Sequence, residues 1–464
     1  MIRLTLAEIA QATGGRVIGD ASTEVFAGVE TDSRRIEPGY LFVAKPGEVT
    51  DGHLFVATAA AAGAVAALVE RELEEQIPLV VVPNVVAALG QLATLVLDRL
   101  RALGNLTVIG VTGSNGKTST KNMLREALSQ FGSTIAPRES FNNEVGAPIS
   151  MLLADESTSY LVVELGADGL GSIDYLAKMC KPDVAVELKV GLAHAGEWGG
   201  IDVTAKIKAE LIENLQPNGV LIFNSDDAYC AEMGRAFTGK KASFGTSGSN
   251  YLAVGSQVSL AGTKTTVVYP DKSETSLTLQ ILGEHQVMNA LATIAVTDSL
   301  GLDRARVIAA LEAMPLAERW RMQHAEVGGV SIINDAYNAS PESMKAALQT
   351  LAVLGRDTSR RTIAVLGEMA ELGEFSADSH DSIGRLIVRL NIDQLIVVGA
   401  GAKLIHMGAA QEGSWDGESK FFDTIDEALP HVRGMLRSND IVLVKSSKSA
   451  NLRHLGDALM GVTA

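Results

Sequence analysis

The residues best equipped for chemistry lie close together between Thr107 and Leu128. An apolar run, Leu106 to Val111, leads into Gly113-Ser114-Asn115-Gly116-Lys117-Thr118-Ser119, and Met123, Leu124, Ala127 and Leu128 then recur at helical spacing. A strand, a glycine-rich turn and a helix in that order aim backbone N–H groups and a helix N-terminus at an anion. Lys117 would add a point charge on the β- and γ-phosphates of a nucleotide, and the Thr118 hydroxyl a ligand for Mg2+. The spacing departs from the common G-x-x-x-x-G-K-[ST] pattern, since Val111 stands where the first glycine belongs and Gly110 and Gly113 bracket it. The competing reading is a glycine-rich turn with a surface lysine; the strand and helix on either side favour the phosphate grip.

Three more residues draw notice. Glu164 ends the run Tyr160-Leu-Val-Val-Glu-Leu-Gly, one helical crossover after the glycine-rich loop. A carboxylate on an apolar strand is costly to bury alone, so it meets either Mg2+ or a salt-bridge partner. His194 follows the apolar run 183–188 in Gly191-Leu-Ala-His; a lone histidine is usually structural, and residue type alone does not single it out. Lys208 sits in the helical stretch Ala205-Lys-Ile-Lys-Ala-Glu-Leu, where Lys206 and Glu210 can pair at i,i+4 and Lys208 itself reads as a surface lysine.

Such residues need a scaffold that delivers strand ends to one edge. From Asn105 apolar runs at 106–111, 160–166, 183–188 and 220–224 alternate with helical stretches. That alternation predicts a mainly parallel sheet covered on both faces, with the glycine-rich loop at the carboxyl end of its strand. After Pro315 the pattern restarts with runs at 330–337, 362–369, 393–399 and 440–446, a second, Rossmann-like α/β unit. Upstream, strand-like runs at 15–19, 28–33 and 41–44, an alanine-rich helix from Phe55 to Ala67 and the run Leu79 to Val82 make a small mixed α/β unit. The expected divisions are 1–83, a linking helix over 84–104 that is apolar on more than one face, 105–314 and 315–464, with a hinge between Met314 and Glu318. In the first unit, Thr31-Asp32-Ser33-Arg34 and Asp51-Gly52-His53 are either two solvated turns or a hydroxyl, guanidinium and imidazole set for a nucleotide or sugar.

The 464 residues suffice for about three domains. With 47% hydrophobic residues, 20% charged residues and no apolar run long enough to cross a bilayer, membrane insertion is not expected. The opening Met1-Ile-Arg-Leu-Thr-Leu lacks the pattern of a signal peptide, so the sequence reads as cytoplasmic. Cys180 and Cys230 form no C-x-x-C pair and are expected to be buried, inert thiols. A formal charge of −16 opposes nucleic-acid binding and requires local cations for any polyanionic substrate.

Taken in order, Gly113 to Thr120, Phe141-Asn142-Asn143-Glu-Val-Gly-Ala-Pro148, Val163-Glu-Leu-Gly-Ala167, the Gly191-Leu-Ala-His194 segment and the Lys208 helix resemble the Mur ligases of peptidoglycan synthesis. The irregular glycine spacing is similar to that family's G-x-T-G-x-N-G-K-[ST] form. Downstream, Gly283 to Asn289, Asn334-Asp-Ala-Tyr-Asn-Ala-Ser-Pro341, Val365 to Gly373 and Val444-Lys-Ser-Ser447 extend the match and resemble the branch that adds D-alanyl-D-alanine. The Thr31-to-Arg34 and Asp51-to-His53 turns match as well, which favours their substrate-binding reading.

The resemblance implies three α/β domains and an ATP-dependent ligase, expected to be monomeric. ATP would phosphorylate the terminal carboxylate of UDP-MurNAc-tripeptide, and D-alanyl-D-alanine would attack the acyl phosphate. Lys117, His194 and Lys208 would be catalytic, and a pair of Mg2+ ions would be held by Thr118, Glu164, His194 and Lys208. The matching lysine of the family carries a CO2-derived carbamate, which turns a repelled ammonium into an oxygen ligand. Gly113, Ser114, Asn115, Gly116, Ser119, Asn289, Arg321 and Asp335 would complete the ATP site. Ser33, Arg34, Asp51, His53, Asn142, Asn143 and Asn338 would contact the other substrates, although capping is the reading of Asn289 and Asn338 on residue type alone. A meeting of three substrates implies open and closed states.

Departures from the family pattern are Ser340 for an asparagine, Lys189 for an asparagine, Ala195-Gly196 for Leu-Glu, and Ser446 and Lys448 for Gly and Arg. None removes an implied metal ligand, and all bear on the amine pocket. Rival readings are the ligase that adds the third stem residue, a folylpolyglutamate-synthase-like ligase, and a nucleotide-gated scaffold without turnover.

Overall fold

The computed structural model describes residues 1–47, 50–74, 77–137, 141–192, 195–315, 318–413 and 418–462. The first unit is a five-stranded sheet in the order 16–18, 79–81, 66–69, 40–43 and 28–30, parallel except for its first strand. Its alanine-rich helix is shorter than expected. It runs Val56–Ala62 and ends at Gly63, whose φ of 112° is a left-handed cap, after which Ala66–Val69 is a fully buried strand. Alanine's high helix propensity suggested the longer helix; burial between two parallel neighbours overrode it.

The linking helix Val85–Ala102 is capped by Asn84, whose Oδ1 accepts from Ala87 N at 2.8 Å. It is apolar on more than one face because it has two neighbours. Leu89, Leu92, Leu97 and Leu100 share one core with Leu6 and Ile9 before it and with Met151 and Leu176 after it. Each fully buried leucine contributes about 1.5–3 kcal/mol, so this helix fixes the first unit to the second.

The central sheet has nine strands. Seven are parallel, in the order 251–259, 240–245, 220–224, 184–187, 107–112, 158–164 and 133–135. The strands 262–268 and 274–279 extend it as antiparallel hairpins that the sequence reading left unassigned. Thr107–Thr112 lies mid-sheet, with Glu164 level with Val111 on one side and Glu187 level with Thr112 on the other. Three consecutive strands therefore bring the glycine-rich loop and two carboxylates to one edge.

The last sheet runs 323–327, 330–334, 441–445, 362–366, 394–398 and 419–422, parallel except for its first, unforeseen strand. Its core is continuous with the central one: Met123, Leu124 and Leu291 share a cluster with Met344, Leu348 and Leu366. Cys180 and Cys230 are buried free thiols, the first pushed up to about 12 by burial. Among the described residues no helix is long and apolar enough to cross a membrane.

Candidate active site

The glycine-rich loop folds as its spacing requires. Gly113 and Gly116 adopt φ of 149° and 89°, and a Cβ on Gly116 would sit 2.5 Å from Asn289 Oδ1. The loop feeds the helix Lys117–Leu128, whose first residues Lys117, Thr118 and Ser119 line the cleft, and a helix N-terminus there favours an anion. Lys117 Nζ donates to Gly113 O at 2.6 Å, folding the ammonium over the loop that would hold a phosphate. Burial lowers its pKa, Glu164 opposes that shift and Arg321 adds to it. Ser114 braces the loop against its neighbour, donating from N to Lys189 O at 2.7 Å and accepting from Gly191 N at 2.9 Å.

Glu164 is 1% exposed. Its Oε1 accepts from Asn142 Nδ2 at 2.8 Å, while Oε2 is buried without a hydrogen-bond partner among the described residues. An anionic oxygen left so is what a hard cation takes up, and the nearby Thr118 hydroxyl supplies a second oxygen. These donors fit Mg2+, although among the described residues no group of three His, Cys, Asp or Glu side chains forms a complete cage. Asn143 is differently engaged: its Oδ1 accepts from Gly146 N at 2.9 Å, in the turn that leads into the helix Gly146–Met151.

Lys208 is not a surface lysine. It is 2% exposed, 5.4 Å from the Trp198 ring, and its pKa is pushed down to about 7 by burial and Lys117, against Glu187, Glu210 and Glu164. Glu210 does not depend on Lys206; it turns inward to accept from Gly171 N at 2.7 Å and Asp174 N at 2.9 Å, holding the start of the helix Ser172–Cys180. His194 lies outside the described residues. Glu187 escaped the sequence reading: it is fully buried, neither carboxylate oxygen has a partner among the described residues, and burial raises its pKa well above the usual range. Its position at the end of the strand beside Thr112, matching Glu164 on the other side, was the available signal.

The C-terminal unit closes the cleft. Arg321 reaches across to donate from Nη2 to Thr118 Oγ1 at 3.2 Å, with its guanidinium 4.0 Å from the Tyr337 ring centroid. Asp335 accepts from Met322 N at 2.9 Å and from Lys445 Nζ at 2.5 Å. Asn338 Oδ1 accepts from Ala339 N, the turn contact expected from residue type, whereas Asn289 lies inside the helix Glu284–Ser299 and donates to Gln286 Oε1 at 3.0 Å. Burial pushes His285 down to about 4, so its imidazole is neutral at neutral pH. Together with Ser119, these side chains line a cavity of about 1520 Å3 between the central and C-terminal sheets. Ser340 caps the helix Pro341–Thr358 and donates to Asn115 Oδ1 at 3.2 Å. Gly196 and Gly373 also meet across the cleft, where a Cβ on Gly196 would lie 2.2 Å from Leu372 C.

In the first unit, Ser33 and Arg34 form a turn in which Arg34 clasps Asp32 and stays largely exposed. Asp51 and His53 form a clamp: His53 Nδ1 lies 2.6 Å from Asp51 Oδ1, and His53 Nε2 accepts from Glu70 N at 2.9 Å. Both ring nitrogens are engaged and the ring is buried, so His53 holds the turn rather than reaching a ligand. Arg35, passed over in the sequence, lies over Phe141 at 5.8 Å, next to Asn142.

Family models match along the chain in the same order as the sheets: "Mur ligase family, catalytic domain" over residues 25–107, "Mur ligase middle domain" over 111–297 and "Mur ligase, glutamate ligase domain" over 320–448. The chain is 41% identical over 502 residues to the UDP-N-acetylmuramoyl-tripeptide–D-alanyl-D-alanine ligase of Mycobacterium tuberculosis, covering 99% of this chain and 98% of that one. The chain belongs to the Mur ligase family. As a Mur ligase it superposes on MurF from Acinetobacter baumannii with a TM-score of 0.90 at 33% identity, covering 99% of each chain. It also matches MurF ligase from Thermotoga maritima in complex with ADP, with a TM-score of 0.79 at 28% identity, over 93% of this chain and 96% of that one.

Proposed function

We propose that this Mur ligase adds D-alanyl-D-alanine to UDP-MurNAc-tripeptide with conversion of ATP to ADP and phosphate, in peptidoglycan precursor synthesis. The observation that carries the reading is the convergence of Lys117, Thr118, Glu164 and Arg321, from two units, on one cavity of about 1520 Å3, large enough for a nucleotide and more. The same convergence argues against a scaffold without turnover. The first unit takes the UDP-muramyl end through Ser33 and Arg34, the central unit ATP, and the third the dipeptide; the hinge between Met314 and Glu318 includes residues 316 and 317, which lie outside the described residues.

In the first step a carboxylate oxygen of the tripeptide attacks the γ-phosphorus as the bond to ADP breaks. Lys117 and Arg321 meet the charge on the transferring group, the kind of fixed electrostatic stabilisation that counts most in such reactions. Asn289 and Asp335 hold the nucleoside. The amine then attacks the acyl phosphate carbon, and the tetrahedral intermediate expels phosphate as the amide forms. Thr118, Glu164, His194 and a carbamylated Lys208 would hold Mg2+, which neutralises phosphate charge when bound. Carbamylation needs a neutral amine, and a lysine pushed down to about 7 supplies it near neutral pH.

The test is ADP production with UDP-MurNAc-tripeptide and a panel of amines. Release that requires D-alanyl-D-alanine is expected. Release with single amino acids, or with glutamate on folate, would move the assignment to a rival branch, and no release with any amine would remove the ligase reading. Rescue of Lys208→Ala by short carboxylic acids tests the carbamate. X-ray scattering that contracts with an ATP analogue plus muramyl tripeptide tests domain closure.

A further inference from the structure

We propose that Glu342 is a positioning residue, the carboxylate through which the C-terminal domain fixes the loop 189–192 beside the phosphate-binding loop; the proposal rests on the ligase reading above for its catalytic consequence only. Glu342 lies in the first turn of the helix Pro341–Thr358. Its Oε1 accepts from Leu192 N at 2.9 Å, across the boundary between the two sheets. Its Oε2 is buried without a hydrogen-bond partner among the described residues.

Gly191 shows how close the carboxylate comes. A Cβ there would lie 2.9 Å from Glu342 Cδ and 3.0 and 3.1 Å from its oxygens. Gly191 is not among the residues with left-handed backbone, so its conformation does not demand glycine. A Cβ there would instead press on the carboxylate and push it off its contact with Leu192.

The loop is held from two sides. Ser114 of the phosphate-binding loop bonds to Lys189 O and to Gly191 N and O, and Val190 N donates to Asp227 Oδ2 at 3.4 Å. Those partners belong to the central domain. Glu342 is the partner from the other domain, and Ser340, two residues earlier, bonds to Asn115 of the same phosphate-binding loop. One helix N-terminus thus grips both loops at once. Lys189 lines the nucleotide cavity, so the setting of this loop shapes the site when the domains are together.

A carboxylate in the first helical turn also interacts favourably with the helix dipole, and a residue doing only that would leave catalysis and Leu192 alone. The experiment therefore compares Glu342→Ala, Glu342→Gln and Gly191→Ala. Glutamine keeps an acceptor for Leu192 N and loses the charge. Glu342→Ala is expected to lower kcat about 10- to 100-fold, in line with the cost of a small misplacement at a reacting centre, with KM for ATP within about threefold. Glu342→Gln is expected to restore most of kcat. Gly191→Ala should be as harmful as Glu342→Ala in the native background and add little to it in the double variant, because the clash has gone. Amide exchange at Leu192 reads the contact without turnover: slow in the native chain and Glu342→Gln, faster in Glu342→Ala. Unchanged exchange in Glu342→Ala, a glutamine variant as impaired as alanine, or independent effects of the two sites would each overturn the proposal. A native protein that turns over no substrate would instead overturn the ligase reading, while the exchange rates still decide the contact.

Discussion

Arg321 Nη2 lies 3.2 Å from Thr118 Oγ1, so a guanidinium from the C-terminal unit reaches the hydroxyl that begins the phosphate-binding helix. On the proposed mechanism, replacing Arg321 with alanine removes a cation that meets the charge of the transferring phosphoryl group. A fall in kcat of about 10²- to 10³-fold is expected, as for the loss of one preorganised donor. Lysine should rescue little, because it lacks the planar fork that reaches Thr118 while stacking on Tyr337. Steady-state kinetics with varied ATP check this.

The backbone around Arg321 is strained. Trp320 and Met322 have φ of 64° and 49°, left-handed values unusual for bulky residues. Trp320 Nε1 donates to the buried Asp457 at 2.9 Å, and Arg319 and Asn334 bond to the same carboxylate. Asp457→Ala should therefore destabilise the fold by about 1–3 kcal/mol, the cost of leaving the buried Asn334 amide and the half-buried Trp320 N–H short of an acceptor. It should also lower kcat although Asp457 does not line the cavity. Urea unfolding and kcat measured on one preparation test both effects; a stability loss without a kcat loss would show that the strain does not aim Arg321.

Glu164 and Asn142 should differ in degree. Glu164→Gln removes the anionic oxygen that fits Mg2+, while Asn142→Ala removes only the amide that orients Glu164. The orienting residue should cost about 10- to 100-fold in metal affinity or activity, and the glutamine substitution more. Mg2+ titration of nucleotide binding separates the two, and an asparagine effect equal to the glutamate effect would contradict the assigned roles.

Much of this site is legible in the sequence because strand ends announce themselves. The apolar runs stopping at Glu164, at Asn334-Asp335 and at Lys445-Ser446 each place polar residues at the carboxyl edge of a parallel sheet. What escaped reading depends on contacts between distant segments. Nothing local marks His53 as buried, Glu187 as unpartnered among the described residues, or Glu342 as bonded to a loop 150 residues earlier. The strand Ala66–Val69 was hidden by its alanines, and the hairpins over 251–279 by threonines, serines and lysines that alternate on a half-solvated sheet extension.

Lys208 should cost the fold stability that function requires. Its amine ionises at 10.5 in an unperturbed setting and is pushed down to about 7 in the folded chain, first by burial. Between these values the unfolded chain holds a proton that the folded chain lacks, so this group makes stability rise with pH across that window. Below about pH 7 both states hold the proton, and the folded chain bears the full cost of a buried ammonium. Lys208→Met carries no such cost. In CO2-depleted buffer the variant should be inactive yet more stable than the native chain below pH 7, by on the order of a few kcal/mol, with the advantage fading as pH rises towards 10.5. Chemical denaturation across pH 6 to 10 measures the difference. A constant difference would mean that Lys208 is solvated in the folded protein, and then the neutral amine needed for carbamylation would not be available near neutral pH.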